Sequence, residues 1–196
     1  MKIKDIKENY YFETLNENHD LSYFDCGGDD LNDFLKNDAL IQQEMKLNLT
    51  KLIICEGRII GYVSLLTDTL LLKNINDDDI RIDFKDTLNI SSMNKPLPAV
   101  KIGRFALDKL YVGQGLGTHI LRNVLATIKN ISDSKVGFRF IVVEGYAKAF
   151  NFYAVHNGFE NLKKDEIKIQ NIEFISKRDP NKTFYLYFDL NKYDFV

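Results

Sequence analysis

The amino-acid sequence predicts an α/β domain in which a mixed sheet carries helices on both faces. Three observations predict it. Apolar runs of strand length alternate with helix-period stretches in the order α, β-β, β-α-β-α, β-β. Residues 138–143 are apolar almost throughout, as in a strand buried on both sides. A glycine-rich loop at residues 113–117 stands between an apolar run and an amphipathic stretch.

Taken in order, the first ten residues alternate Lys, Asp, Glu and Ile and lead into a polar stretch, so neither a signal peptide nor a membrane span is expected. Phe24-Asp25-Cys26-Gly27-Gly28 reads as a loop, with Asp29 or Asp30 as a helix cap. Leu31, Phe34, Leu35 and Ala39 then recur at helical spacing, which carries the helix to about Gln43. The apolar runs 51–55 and 59–66 flank Glu56-Gly57-Arg58, a hairpin signal. Residues 68–98 hold Leu70-Leu71-Leu72, then Asp77-Asp78-Asp79, and close on Lys95-Pro96-Leu97-Pro98. The acidic run reads as a solvated loop or helix start, because like charges resist burial. Its spacing matches no calcium loop, and no metal is expected.

Residues 99–107 read as a strand with Gly103 inside it, and the loop 111–117 leads into a helix. That helix carries Ile120, Leu121, Val124, Leu125 and Ile128 on one face. After the strand at 138–143 a second, short helix spans roughly 147–156 and closes on Asn157-Gly158. Two further strands, 172–176 and 184–190, are joined through Asp179-Pro180-Asn181-Lys182. No repeat or low-complexity linker interrupts the pattern, and 196 residues fit one domain, 1–196.

Composition narrows the class. A hydrophobic fraction of 45% and 28% charged residues of both signs describe a globular chain, not a disordered one. The net charge of −2 argues against a partner held through many phosphates, so a nucleic-acid partner is disfavoured. Lys163, Lys164 and Lys168 form the one cluster that the sequence nominates as a phosphate footprint. The two cysteines, Cys26 and Cys55, leave a disulfide open, and free thiols in a reducing cytoplasm are the reading adopted.

The loop Val112-Gly113-Gln114-Gly115-Leu116-Gly117 is where chemistry enters. Glycines at alternate positions let the backbone approach a ligand with its N–H groups turned inward. The helix start adds unpaired donors and the positive end of its dipole, which suits a phosphate or pyrophosphate. A Walker loop would end in Gly-Lys-Ser/Thr, whereas Gly117 is followed by Thr118-His119. A dinucleotide fold would place a third glycine at position 118 and an early strand before the loop.

The segment Ile102-Gly103-Arg104-Phe105-Ala106-Leu107-Asp108, four residues, and then Gly113-Gln114-Gly115-Leu116-Gly117 resembles the acetyl-CoA segment of GNAT acetyltransferases. The strand 140–144, the helix through Ala147 and Tyr153, and Asn157-Gly158-Phe159 resemble that family's second half. Phe24-Asp25-Cys26-Gly27 with Leu31-Asn32-Asp33-Phe34-Leu35 is similar to a sub-branch that includes tRNA-acetylating toxins. Two departures stand out. The family usually opens the loop with Gln or Arg, where this chain has Val112, and Tyr153 precedes Gly158 by five residues where four are usual.

The resemblance implies a mostly antiparallel central sheet with acetyl-CoA as co-substrate between two splayed strands. It implies that the backbone of Phe105, Ala106 and Leu107 bonds the pantetheine arm, with an oxyanion-hole N–H near Leu107. Val112, Gly113, Gln114, Gly115, Leu116, Gly117 and Thr118 would cradle the pyrophosphate, and Asn151 would add a cofactor contact. An acceptor amine attacks the thioester directly, Tyr153 protonates the departing thiolate, and Glu144 is the candidate general base. Outside that resemblance Tyr153 reads as a core tyrosine, Glu144 as an exposed strand-end carboxylate and Asp108 as a turn residue. His119 reads as a solvated histidine, and Arg104 either faces the acceptor or pairs with a carboxylate.

Three functions follow as expectations. The first is an N-acetyltransferase acting on a small amine or a protein amine. The second is a toxin that acetylates aminoacyl-tRNA and is neutralised by a small DNA-binding antitoxin. The third is a non-catalytic acyl-CoA-binding domain. A cytoplasmic location and a homodimer through the C-terminal strands complete the expectation.

Overall fold

A computed structural model of the chain describes residues 2–89 and 92–192. The elements are α1 (Ile3–Asn9), β1 (Tyr11–Thr14), α2 (Asp29–Asp33), α3 (Ala39–Glu44), β2 (Leu49–Cys55) and β3 (Arg58–Leu71). They continue with α4 (Asp78–Thr87), β4 (Pro96–Leu107), α5 (Leu116–Ser134), β5 (Phe140–Tyr146) and α6 (Phe150–Asn157). The chain closes with β6 (Glu160–Asn161), α7 (Glu166–Ile169), α8 (Ile172–Arg178) and β7 (Thr183–Asp189). The strands form one seven-stranded sheet in the order β1-β2-β3-β4-β5-β7-β6. Pairs β1–β2, β2–β3, β5–β7 and β6–β7 are antiparallel. By its contacts the chain divides into two compact units: residues up to Leu66 with Ile102–Val124, and Thr67–Lys101 with residues from Leu125 on. Among the described residues no helix is long and apolar enough to cross a membrane.

In the first unit the hairpin forms where its signal lies. Glu56 and Gly57 both have positive φ, 49° and 73°, the two-residue turn whose twist matches the strands it joins. Pairing continues from Cys55↔Arg58 to Leu49↔Leu65, through one irregularity at Ile53/Ile54. The buried Thr50 and Ser64 hydroxyls, opposite each other in that register, bond at 3.2 Å. Helices α2 and α3 are joined by a π-helical turn over Phe34–Asp38, so the expected helix is present with a wider middle turn. Tyr62 explains its position. Its hydroxyl donates to the Leu31 carbonyl at 2.8 Å, Phe34 stacks on its ring, and Phe24 meets that ring edge-on. These rings join Leu35, Ala39, Leu52, Ile54 and Ala106 in one apolar cluster. The cap of α2 is Gly28, without a side-chain bond, rather than Asp29 or Asp30. Both aspartates fall in the first turn, where a negative charge still favours the helix dipole.

The second unit is built around β5 and β7, paired from Phe140↔Asp189 to Tyr146↔Thr183. Phe140, Val142 and Tyr187 share a core with Leu70, Leu72, Ile75, Ile80, Leu97, Ala99 and Leu162. The acidic run resolves as a helix start: the Asp77 side chain accepts the Ile80 N–H at 3.0 Å and α4 follows. Asp189, 1% exposed, accepts two bonds from the Arg139 guanidinium at 2.9 and 2.8 Å, which raise the guanidinium pKa despite its burial. That fork accounts for an arginine inside the apolar run 138–143, and its removal would leave a buried, unpaired charge.

The expected strand at 172–176 is instead the helix α8. Its half-buried residues are Ile172, Ile175 and Ser176, at i, i+3 and i+4, while Phe174 is 64% exposed. Over five residues the two periods are hard to separate, and burial at i and i+3 is helical. The C-terminal strand is therefore β7, with the two-residue β6 beside it.

Gly61 lies opposite Ile53 in β3. A Cβ there would fall 2.7 Å from the Ala106 carbonyl oxygen and 2.6 Å from Leu107 Cδ2. The backbone oxygen has no rotamer to escape into, so Gly61→Ala should destabilise by about 1–3 kcal/mol, the usual size of an overpacking strain. A urea unfolding midpoint equal to wild type would show that β3 and β4 can separate there at no cost.

Candidate active site

Strand β4 ends at a fixed point. The Asp108 N–H donates to the Ile60 carbonyl at 2.9 Å, and the Asp108 carboxylate turns back to accept the Leu110 N–H at 3.0 Å. Asp108 is thus a buried turn residue, with Arg58 Nη2 3.7 Å from its outer oxygen. Just before it, Ala106 and Leu107 are buried and Phe105 is half-buried. Just after it, Tyr111 is buried and its N–H returns to the Asp108 carbonyl at 2.9 Å. The chain then surfaces. Val112 is 61% exposed, and Gly113, Gln114 and Gly115 are exposed with it.

Gly113 and Gly115 have φ of 78° and 73°, and a Cβ added at either would meet nothing within 4 Å. The glycines are therefore required by backbone conformation, and the space they leave faces solvent. Leu116, fully buried, pins the start of α5, while Gly117 and Thr118 are half-buried behind it. One side chain departs from expectation, and for Arg104 the carboxylate pair is not formed among the described residues. His119 is no solvated histidine, since its Nε2 is buried without a partner and its ring meets Tyr10 edge-on at 5.9 Å. Arg104 lies over the Phe34 ring at 5.1 Å rather than on a carboxylate.

The second unit holds Tyr153, Glu144 and Asn151. Tyr153, 6% exposed on α6, packs edge-on against Phe152 and Phe159 at 5.0 and 5.5 Å. Burial raises its phenol well above the ordinary value, so it holds its proton throughout the neutral range. The extra residue before Gly158 is absorbed by the closing turn. Gly158 takes the left-handed conformation, φ 72°, and both Gly158 and Phe159 donate their N–H to the Tyr153 carbonyl. A Cβ on Gly145 of β5 would stand 3.1 and 3.2 Å from the Tyr153 ring. Gly145 therefore sets how closely that ring meets the sheet, a role visible in sequence only as a glycine inside a strand.

Glu144 is 40% exposed and both its oxygens are engaged. Oε2 accepts from Lys101 Nζ at 3.1 Å, and Oε1 from the Thr183 hydroxyl at 3.0 Å. Lys101 also bonds the Tyr185 hydroxyl at 2.7 Å. Burial alone would lower the Lys101 ammonium, but these bonds outweigh it and raise its pKa. Lys101 and Thr183 were not legible as site residues, because they lie 43 and 39 residues from Glu144. Asn151 is exposed and lines a cavity of about 360 Å³ with Lys148, Ser176, Lys177, Ile172 and Glu173.

The cations around this cavity change the charge picture. Of the nominated cluster, Lys163 pairs with Asp78 at 3.7 Å and Lys168 with Asp165 at 2.8 Å, while Lys164 is exposed and makes no ion pair among the described residues. Lys148, Lys177, Arg178 and Lys182 are exposed, and among the described residues none of them makes an ion pair. Chain geometry gathers them. The Ala147 N–H bonds the Lys182 carbonyl at 2.7 Å, the Lys148 N–H bonds the Pro180 carbonyl at 3.2 Å, and Lys148 and Lys177 share the cavity wall.

No family model matches the chain. A tRNA-acetylating toxin of Mycobacterium tuberculosis strain H37Rv is 24% identical over 155 residues, covering 79% of this chain and 87% of its own. The structure of AtaT complexed with acetyl-methionyl-tRNAfMet superposes with a TM-score of 0.72 at 23% identity, over 94% of this chain and 96% of that one. A mutant of KacT gives 0.71 at 21% identity, over the same shares of each chain. The fold is that of these proteins, the GNAT fold that the sequence leads one to expect.

The contact between Gly145 and Tyr153 is directly testable. In Gly145→Ala the ring must shift by a few tenths of an ångström, and turnover should fall about tenfold or more if that aim matters, in line with the sensitivity of catalysis to small misplacements. The urea midpoint should move little. A turnover equal to wild type would show that Tyr153 is not held by this strand.

Proposed function

We propose that this chain, a protein of GNAT fold, is an acetyl-CoA-dependent N-acetyltransferase whose acceptor is the amino group of an aminoacyl-tRNA. The observation that carries the reading is Tyr153: a buried, protonated phenol beside β5, held by Gly145, Phe152 and Phe159. In the proposed reaction the acceptor nitrogen attacks the thioester carbonyl carbon, the carbon–sulfur bond breaks, and Tyr153 gives the leaving sulfur a proton. The same low-dielectric surroundings that raise the phenol also make a thiolate more basic, which keeps the proton transfer feasible. An α-amine with pKa near about 8 keeps a neutral minority at cellular pH that can attack, and the proton its nitrogen sheds on forming the amide passes to solvent, from which the Tyr153 phenol is restored. Glu144 then serves the acceptor chiefly by holding Lys101, or passes a proton through water.

Residues of the first unit are the proposed cofactor ligands. Residues 112–118 present an exposed backbone with two left-handed glycines at the start of a 19-residue helix, a donor set that fits a pyrophosphate. Phe105, Ala106 and Leu107 offer the adjoining strand backbone, and Asn151 is the proposed contact from α6.

The acceptor assignment draws on the relatives. The mycobacterial one is a tRNA-acetylating toxin, and AtaT is solved with an acetylated aminoacyl-tRNA. The acidic average argues against an RNA partner, but Lys148, Lys177, Arg178 and Lys182 stand exposed close together in the chain's fold, and an average does not register such a cluster. AtaT is also solved bound to the C-terminus of the antitoxin AtaR, and a KacTA complex on DNA. A small antitoxin partner and a homodimer belong to the same proposal, and exposed Ile41, Met45, Leu47 and Leu49 give the first unit an apolar surface for one of them. Both substrates are cytoplasmic, which is the location proposed.

Two experiments test this reading. With purified aminoacyl-tRNA and labelled acetyl-CoA, wild type should transfer label to the aminoacyl group, and Tyr153→Phe should lose about 10²-fold or more in turnover. Transfer to small amines but not to aminoacyl-tRNA would remove the acceptor assignment, and no release of CoA with any amine would remove the enzyme. In the double variant Lys177→Glu, Arg178→Glu, the slope of log kcat/KM against log salt should shrink by about 1 for each phosphate that is no longer neutralised. An unchanged slope would take those two cations out of the RNA footprint.

A further inference from the structure

The motif Phe24-Asp25-Cys26-Gly27 takes no part in the chemistry described so far, yet the structure gives each of its residues a partner. Phe24 is 2% exposed and packs on Tyr62, which anchors the segment in the core. Gly27, φ 76°, turns the chain into α2. The Cys26 N–H donates to Asn32 Oδ1 at 3.0 Å, and its thiol lies 3.6 Å from the Gly28 carbonyl. Asp25 is the hub. Its Oδ1 accepts the Gly27 N–H at 2.8 Å and the Asn32 amide at 2.9 Å, its Oδ2 accepts Lys109 Nζ at 2.6 Å, and its carbonyl accepts the Lys109 N–H at 2.9 Å.

Lys109 is thus held at both backbone and side chain, one residue after the rung that ends β4 and three before Val112. We propose that Asp25 is a positioning residue of the cofactor site: through Lys109 it ties the start of the glycine loop to the turn that opens α2, and so presets that loop for acetyl-CoA. The proposal rests on the reading of residues 112–118 as the cofactor loop.

The arrangement suits presetting better than bulk stabilisation. Asp25 and Lys109 side chains are 42% and 61% exposed, and an exposed ion pair alone adds little to stability. Bonds to a charged acceptor are stronger and directional, and three donors converge on this one carboxylate. The Lys109 ammonium foremost, then the Gly27 N–H and the Asn32 amide, hold the Asp25 carboxyl well below the usual carboxylate range. The latch is therefore ionised at neutral pH. A loop already fixed at its entry loses less conformational freedom when ligand arrives, and that difference appears as affinity.

Calorimetric titration with acetyl-CoA reads the effect directly and needs no acceptor. In Lys109→Met and Asp25→Ala the Kd should rise about tenfold, the range for losing a hydrogen bond to a charged group. At saturating acetyl-CoA kcat should stay within about twofold, since ground-state positioning is what has been removed. Lys109→Arg keeps the charge and the reach and should bind like wild type. An unchanged Kd in Lys109→Met, whose long exposed side chain leaves the fold intact, overturns the proposal. So does a fall in kcat at unchanged Kd, or an arginine variant as weak as the methionine one. Wild-type protein that binds no acetyl-CoA would instead overturn the cofactor reading, and the proposal with it.

Discussion

The amide of Asp108 donates to the carbonyl of Ile60, and the course of the chain through the glycine loop follows from that bond. It ties the end of β4 to β3, and one residue further on in β3 stands Gly61, where a side chain would strike the Ala106 carbonyl. Because the two backbones come this close, β4 stays paired up to Leu107 and is released abruptly. The Asp108 carboxylate then caps a single tight turn, Tyr111 drops into the core, and the next buried side chain is Leu116. Between those two anchors only four residues are left to cross the surface and enter α5. Left-handed conformations at Gly113 and Gly115 make so short a crossing possible, and they also turn its backbone outward. The proposed site for an anion is thus the consequence of where a strand is made to stop.

In the second unit the same logic runs through charge. Arg139 and Asp189 pair at one end of the β5–β7 register, and Lys192 reaches both Asp77 and Glu160 at 2.7 and 2.5 Å while Tyr187 donates to Glu160. Buried pairs of this kind add little net stability over apolar packing, but one broken partner is costly. Their value lies in register: a slip of one residue would strand the Asp189 carboxylate in the core and carry Glu144 to the other face of the sheet. Glu144, Gly145 and Thr183 keep their places because that register is enforced from the opposite end of the strand. The aim of Tyr153 depends on it too, since Gly145 is where the ring meets the sheet.

Features determined by neighbours in sequence were the legible ones. The Glu56-Gly57 turn, the glycine loop, the amphipathic α5 and the Asn157-Gly158 stop each depend on a few consecutive residues, and the structure has all four. Features determined across the chain were not legible. The π turn at Phe34–Asp38 answers to Tyr62, twenty-odd residues away on β3. The lysine on Glu144 comes from β4, and the close approach at Gly61 comes from a strand that local pattern cannot pair. Residues 172–176 failed differently, since five residues with three apolar ones fit either period and only burial distinguishes them. Asp29 and Asp30 had the right chemistry for a cap, but the chain turned one residue earlier, at Gly28.

If the acceptor is the proposed aminoacyl-tRNA, net charge is a poor guide to it for a related reason. A sum over the sequence, 26 basic against 28 acidic residues, treats every lysine as available to a ligand. In the folded chain many are already engaged: Lys101 with Glu144, Lys109 with Asp25, Lys168 with Asp165, Lys192 with Asp77 and Glu160, and Arg139 with Asp189. Such pairs cancel at short range and leave little field beyond a Debye length. What a phosphate backbone meets is the remainder, and the remainder is uneven. Near α8 it consists of four cations against Glu173 and Asp179, on a stretch of surface that includes the cavity beside Asn151. Counterion release depends on that local density and not on the molecular total. An acidic protein can therefore present a surface suited to RNA, provided its internal ion pairs are drawn from residues outside that surface.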